Sequence, residues 1–155
     1  PTIEETTEKA IASAIPTHNH PSALKAAQCV AVSIFLLRKG ISKEELKKYI
    51  EDNFDYDLSI SLDEMRKTSK FEISCDKTMP QALISFFEAN SIEETAINAI
   101  SLGADADTVA AIACSIDEAY YGIDKDLEEK ILSYIPQEFI EKIKEVNSIY
   151  NEMVR

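Results

Sequence analysis

A chain of 155 residues is long enough for one domain with a core of its own. Sixteen Lys and Arg stand against 28 Asp and Glu, a net charge of −12, which argues against nucleic-acid recognition through phosphates and against an anionic membrane surface. With 45% hydrophobic residues, only three Gly and five Pro, the composition fits long helices better than a turn-rich β-sandwich.

Cys29, Cys75 and Cys114 are odd in number and form no CxxC pair, the pattern of reduced thiols in a cytoplasmic protein. No basic stretch leads into an apolar one as a secretion signal would. The most apolar run, 23–37, is broken by Lys25, Gln28 and Ser33 and falls short of a membrane span. The expectation is a soluble, cytoplasmic protein with no nucleic-acid or membrane partner.

In chain order, Thr2–Ile15 places Ile3, Ala10, Ile11 and Ala14 at helical spacing with Glu4, Glu5 and Glu8 near its start, and Pro16 ends it. A short polar segment, Thr17–His20, precedes Pro21, which suits the first position of a second helix running from Ser22 to Lys39. That helix is apolar on nearly every side and needs other helices around it; Gly40 stops it. Ser42 and Glu45 have the spacing of a capping box opening a third helix, whose charges read as a solvated face.

A loop over 53–61 and a short turn at Leu62–Lys67 come next. Phe71, Ile73 and Cys75 alternate with polar residues as in a brief strand, and Pro80 is expected to start the next helix. Helices over Ile92–Leu102 and Asp105–Tyr121 follow, the latter again nearly all apolar. After Gly122 come a mixed-charge helix and an amphipathic one carrying Phe139, Ile140, Ile143, Val146, Ile149 and Tyr150. The pattern predicts an all-α, compact multi-helix bundle with two buried central helices, organised as a single domain over 1–155.

Two features carry chemistry. In Ser101-Leu102-Gly103-Ala104-Asp105-Ala106-Asp107-Thr108, two carboxylates and a hydroxyl meet at a helix start after a glycine. Three hard oxygen donors suit Mg²⁺, Mn²⁺ or Ca²⁺, and no neighbouring Cys or His favours zinc. Capping by Asp105 and dipole compensation by Asp107 are the structural alternative. The second feature is Thr17-His18-Asn19-His20-Pro21, whose two imidazoles can hold a phosphate or move a proton. Its structural alternative has His20 as the N-cap with His18 packed beneath it.

Together these segments carry a resemblance. Thr17–Pro21 with Ala26-Ala27-Gln28, then Cys75 and Met79-Pro80-Gln81-Ala82-Leu83, then Ala99–Ala113 and Glu118-Ala119-Tyr120-Tyr121-Gly122-Ile123 resemble, in order, the ADP-ribosylglycohydrolases of the dinitrogenase-reductase-activating kind. The resemblance implies an all-helical hydrolase with two Mg²⁺ or Mn²⁺ ions, acting on the glycosidic bond of an ADP-ribosylated protein or ADP-ribose-like molecule. It makes Asp105, Asp107 and Thr108 metal ligands and turns His18 toward the ADP-ribose diphosphate. Ser74–Thr78 would line the ribose or adenine side.

The family's Thr-Asp-Asp-Thr motif and its Gly-rich phosphate-contacting stretch are absent from this sequence. The chain therefore corresponds to the C-terminal half of the fold, and no catalytic residue is expected within it. Three forms fit: part of a longer enzyme, one chain of a split enzyme with a complementing N-terminal half, or a non-catalytic, crystallin-like or interaction protein. The apolar helices 22–39 and 105–121 would also favour a homo-oligomer.

Overall fold

The computed structural model describes residues 1–71 and 73–154, with side chains through residue 149. The described residues form helices and no strand: α1 (Ile3–Ala14), α2 (Pro21–Arg38), α3 (Lys43–Phe54), α4 (Leu62–Thr68), α5 (Cys75–Phe87), α6 (Ile92–Ser101), α7 (Ala106–Tyr121), α8 (Lys125–Leu132) and α9 (Gln137–Val154). They divide into two compact units, Pro1–Gly122 and Ile123–Arg155.

Helix starts in the first unit are written locally. The capping box read at Ser42 and Glu45 is present: Ser42 N donates to Glu45 Oε2 at 2.8 Å and Glu45 N to Ser42 Oγ at 3.2 Å. Thr2 with Glu5 and Ser61 with Glu64 repeat it. Each box satisfies two N–H groups that a helix start leaves without partners.

α2 has 18 residues and a hydropathy of 1.2, so by length and composition alone it would suffice to cross a membrane, the breaks at Lys25, Gln28 and Ser33 notwithstanding. It packs against α1, α3, α5 and α7, as a core helix does. Cys29, Val32, Ser33 and Leu37 are its buried residues, and the Ser33 hydroxyl is satisfied by Cys29 O at 2.7 Å.

α5 departs from the sequence reading. Its helix begins at Cys75, absorbing the end of the expected strand, and Pro80 lies inside it. A proline there deprives the Asp76 carbonyl of its helical donor. What sustains the helix is burial, since eight of its 13 residues are buried, from Thr78 to Phe86. Propensity yields to tertiary contact with α2, α4, α6 and α7. The core gathers Leu46 and Ile50 of α3, Leu83 and Phe86 of α5, and Val109, Ala113 and Ile116 of α7. Each of these side chains larger than that of Ala113 contributes about 1.5–3 kcal/mol on burial.

The second unit holds α8, capped by Asp124 accepting from Leu127 N at 2.9 Å, and α9. Phe139, Ile143, Val146 and Ile149 of the amphipathic α9 are exposed; the side chain of Tyr150 falls outside the described residues.

Candidate functional site

The junction between α6 and α7 is built by Gly103. Its φ of 64° is left-handed, a conformation that costs a residue with a Cβ. The turn brings Asp105 to the N-cap of α7, where its carbonyl accepts from Val109 N at 2.9 Å. The Asp105 side chain makes no capping bond, so its carboxyl is not committed to the helix. Its interaction with Asp107, together with the N–H groups of Thr108 and of Asp107 itself, holds the Asp107 carboxyl below the usual carboxylate range.

Asp105 and Thr108 line a cavity of about 150 Å³ together with Ala26 of α2 and Cys75, Thr78 and Met79 of α5. The first turn of α5 thus reaches the acidic helix start, and Asp107 stands exposed beside it. Two carboxyl groups and a hydroxyl fit one side of a hard-cation site. Among the described residues no cluster of three or more His, Cys, Asp or Glu forms, so further ligand positions fall to water or other donors.

The histidine segment sits at the start of α2. His20 is the N-cap, accepting from Ser22 N at 3.3 Å. His18 is exposed and not packed beneath it, its Nδ1 2.8 Å from Thr17 Oγ1. A second hollow, about 250 Å³, is lined by His20, Ser22, Lys25 and Asp76. His18 lines neither of these two cavities. The participation of Lys25 and Asp76 was not evident from sequence, because each reads as an isolated charge. The nearest signal is that Lys25 interrupts an otherwise apolar run.

A buried polar group also lies outside the sequence reading. Asp117 of α7 is fully buried; Thr95 Oγ1 donates to its Oδ2, while its Oδ1 has no partner. Lys43 of α3 donates to Phe86 O at 2.8 Å and Ala89 O at 2.7 Å. Its ammonium lies over the rings of Phe86 and Tyr121, 4.2 and 4.8 Å from their centroids. So α3 presents a solvated face, as expected, except at this lysine.

An all-helical unit with an acidic helix start facing a buried helix is the setting in which the comparisons fall. The chain matches the ADP-ribosylglycohydrolase family model over residues 1–154, and it belongs to that family. The ADP-ribosylarginine hydrolase Tri1 of Pseudomonas putida (strain GB-1) is 28% identical over 132 residues, covering 82% of this chain and 33% of that protein. The chain thus spans about a third of the length of this curated relative. No solved structure matches.

Proposed function

We propose that this chain supplies the C-terminal face of an active site that cleaves the N- or O-glycosidic bond of ADP-ribosylated acceptors with two Mg²⁺ or Mn²⁺ ions. The observation that supports it is the placing of Asp105, Asp107 and Thr108 at the start of α7, with Asp105 and Thr108 lining one cavity, in a chain of this family. Asp105, Asp107 and Thr108 would hold the cations from this side. Held there, such ions would supply the Lewis acidity that orients the distal ribose hydroxyls and a water at the anomeric carbon. The depressed proton affinity of Asp107 keeps it ionised at neutral pH and available as a donor. His18, exposed at the start of α2, would contact the diphosphate.

The group that activates water belongs to a complementary segment with the Thr-Asp-Asp-Thr motif. Such a segment, or a second copy of this chain, would cover Ile73, which borders the Asp105 cavity and stands 83% exposed. Three reduced thiols suit this assembly to the cytoplasm.

The test is hydrolysis of ADP-ribosyl-arginine with Mn²⁺. The chain alone should turn over no faster than its Asp107→Ala variant. Joined to the motif-bearing part of the Pseudomonas relative, it should gain metal-dependent activity that Asp107→Ala removes. Turnover by the isolated chain would sink the half-site account, and an inert fusion would sink the hydrolase reading. The second reading, a non-catalytic interaction protein, draws on the small number of metal donors found among the described residues. An inert fusion that also binds no Mn²⁺ would favour it.

A further inference from the structure

α6 has an inner and an outer face. Thr95, Asn98 and Ala99 are buried on the inner one, where the helix meets α5 and α7. Ile97 and Ile100 lie on the outer one and stand 64% and 59% exposed. With Glu93 they fall at i, i+4 and i+7, one stripe along the helix. Single isoleucines on a surface need no explanation, but neighbours on one stripe with charge at both ends make a surface.

The two ends carry opposite signs. Glu93, exposed at the N-terminal end, makes no ion pair among the described residues. At the C-terminal end, Arg66 of α4 donates to Ser101 Oγ at 2.8 Å and to Asn98 Oδ1 at 3.4 Å. Asp63 accepts from the same guanidinium at 2.6 Å, but Lys67 and Lys70 follow it, both exposed, so the end of α4 stays positive.

We infer that the outer face of α6 is the contact between two copies of this chain, paired antiparallel about a two-fold axis. Such pairing sets Ile97 of one copy against the partner's Ile100, and the reverse. The same rotation carries the partner's Arg66 to the N-terminal end of α6, beside Glu93, and does so twice, as an isologous contact requires. Parallel pairing would set Glu93 against the partner's Glu93, so the charges select the antiparallel form. A wholly acidic or wholly basic partner would match one end of the stripe and clash with the other; a second copy matches both. The contact is small, because α6 has 10 residues, about 15 Å of helix, and a standard interface covers about 800 Å² on each partner. Each copy also carries −12, so the dimer is weak. Neither Asp105 nor Asp107 enters the contact, which makes it independent of the hydrolase reading.

Sedimentation velocity of the full chain tests it, from about 10 µM to about 1 mM, a span that brackets a weak dimer. The sedimentation coefficient should rise with concentration to that of a dimer and no further, because a two-fold contact closes on itself. Ile97→Asp should weaken association at least about tenfold. Glu93→Lys and Arg66→Glu should each weaken it about tenfold alone, and their equimolar mixture should restore it, since each altered charge then meets its complement. Arg66 also ties α4 to α6, so helicity is followed alongside. If Arg66→Glu fails to fold, the exposed Ile97→Asp and Glu93→Lys decide. Phe139→Asp, on the exposed face of α9, should leave association unchanged. A chain monomeric at every concentration, or association indifferent to Ile97→Asp, overturns the inference. Loss in Phe139→Asp also overturns it, by moving the contact to α9.

Discussion

The Lys25 ammonium of α2 lies 2.8 Å from Asp76 Oδ1 in the first turn of α5, and the same ammonium sits 4.4 Å from the centroid of the Tyr56 ring. One side chain therefore ties together α2, α5 and the loop after α3. The pair is partly exposed, at 32% and 51%, so the ion pair itself contributes about 0.5 kcal/mol and is screened by salt. The cation–π contact adds about 0.5–1 kcal/mol and is less salt-sensitive. Urea melts should show Lys25→Met costing more than Asp76→Asn, with the ion-pair share of both losses shrinking at high salt and the excess for Lys25→Met remaining. Equal losses would show that the Tyr56 contact contributes nothing.

Lys43 holds the C-terminal end of α5 through two carbonyls and stands among aromatic rings. Lys43→Met keeps the aliphatic length but takes the charged donor from both carbonyls and removes a cation near buried Asp117. Phe86 O is left the bond from Ala89 N at 3.2 Å, and Ala89 O the bond from Tyr121 OH at 3.4 Å. A loss of about 2–3 kcal/mol is expected, most of it for the carbonyls. Denaturation midpoints of Lys43→Met beside Lys48→Met, an exposed control on the same helix, measure the difference.

Asp117 gives a pH dependence of definite sign. Burial raises its carboxyl above the ordinary 3.8; the Thr95 hydrogen bond and the Lys43 charge act against this, and Glu93 adds to it. The folded state then holds this proton more tightly than the unfolded one. Its contribution is fully present below pH 3.8 and is lost as pH climbs through the raised folded value. Relative to Asp117→Asn, which has no such proton, the wild type should lose stability as pH rises from 4 toward neutrality. Parallel stability curves for the two proteins would rule this out.

Gly103 makes the turn into α7, and nothing lies within 4 Å of where a Cβ would stand. Gly103→Ala therefore meets no clash, and its cost is backbone strain alone, about 1–2 kcal/mol. Gly103→Asn should be milder, because Asn tolerates the left-handed region. Thermal melts rank the two; an Ala variant as stable as the wild type would mean the turn reshapes at no cost.

For Mn²⁺, three donors on one side of a site predict an affinity no tighter than about millimolar in this chain, since affinity for hard cations grows with ligand number and rigidity. Calorimetry should find the residual binding lost in Asp105→Asn and tightened steeply by the complementary segment. Micromolar binding by the chain alone would show a self-sufficient site.

What could be read in advance depended on how local the cause was. The box at Ser42, the stop at Gly40 and the turn at Gly103 each rest on a few neighbouring residues, and the structure has all three. The start of α5 was misplaced because proline is a strong local signal and burial, which overrode it, is a property of the whole unit. At the site, the acidic run announced itself by spacing. Lys25 and Asp76 did not, because each acquires its role from a partner distant in sequence.

Three helices of the first unit, α1, α3 and α4, open with the same reciprocal arrangement of hydroxyl and glutamate. None of these needs a distant part of the chain to form. Their first turns can be in place while the polypeptide is still open, so helix boundaries need not be searched for during collapse. A helical topology built from such early segments belongs to the fast end of the folding-rate range, about microseconds to milliseconds. The slow event is then left to α5, whose interior proline and dependence on burial mean that it gains its stability only when α2, α4, α6 and α7 close on it.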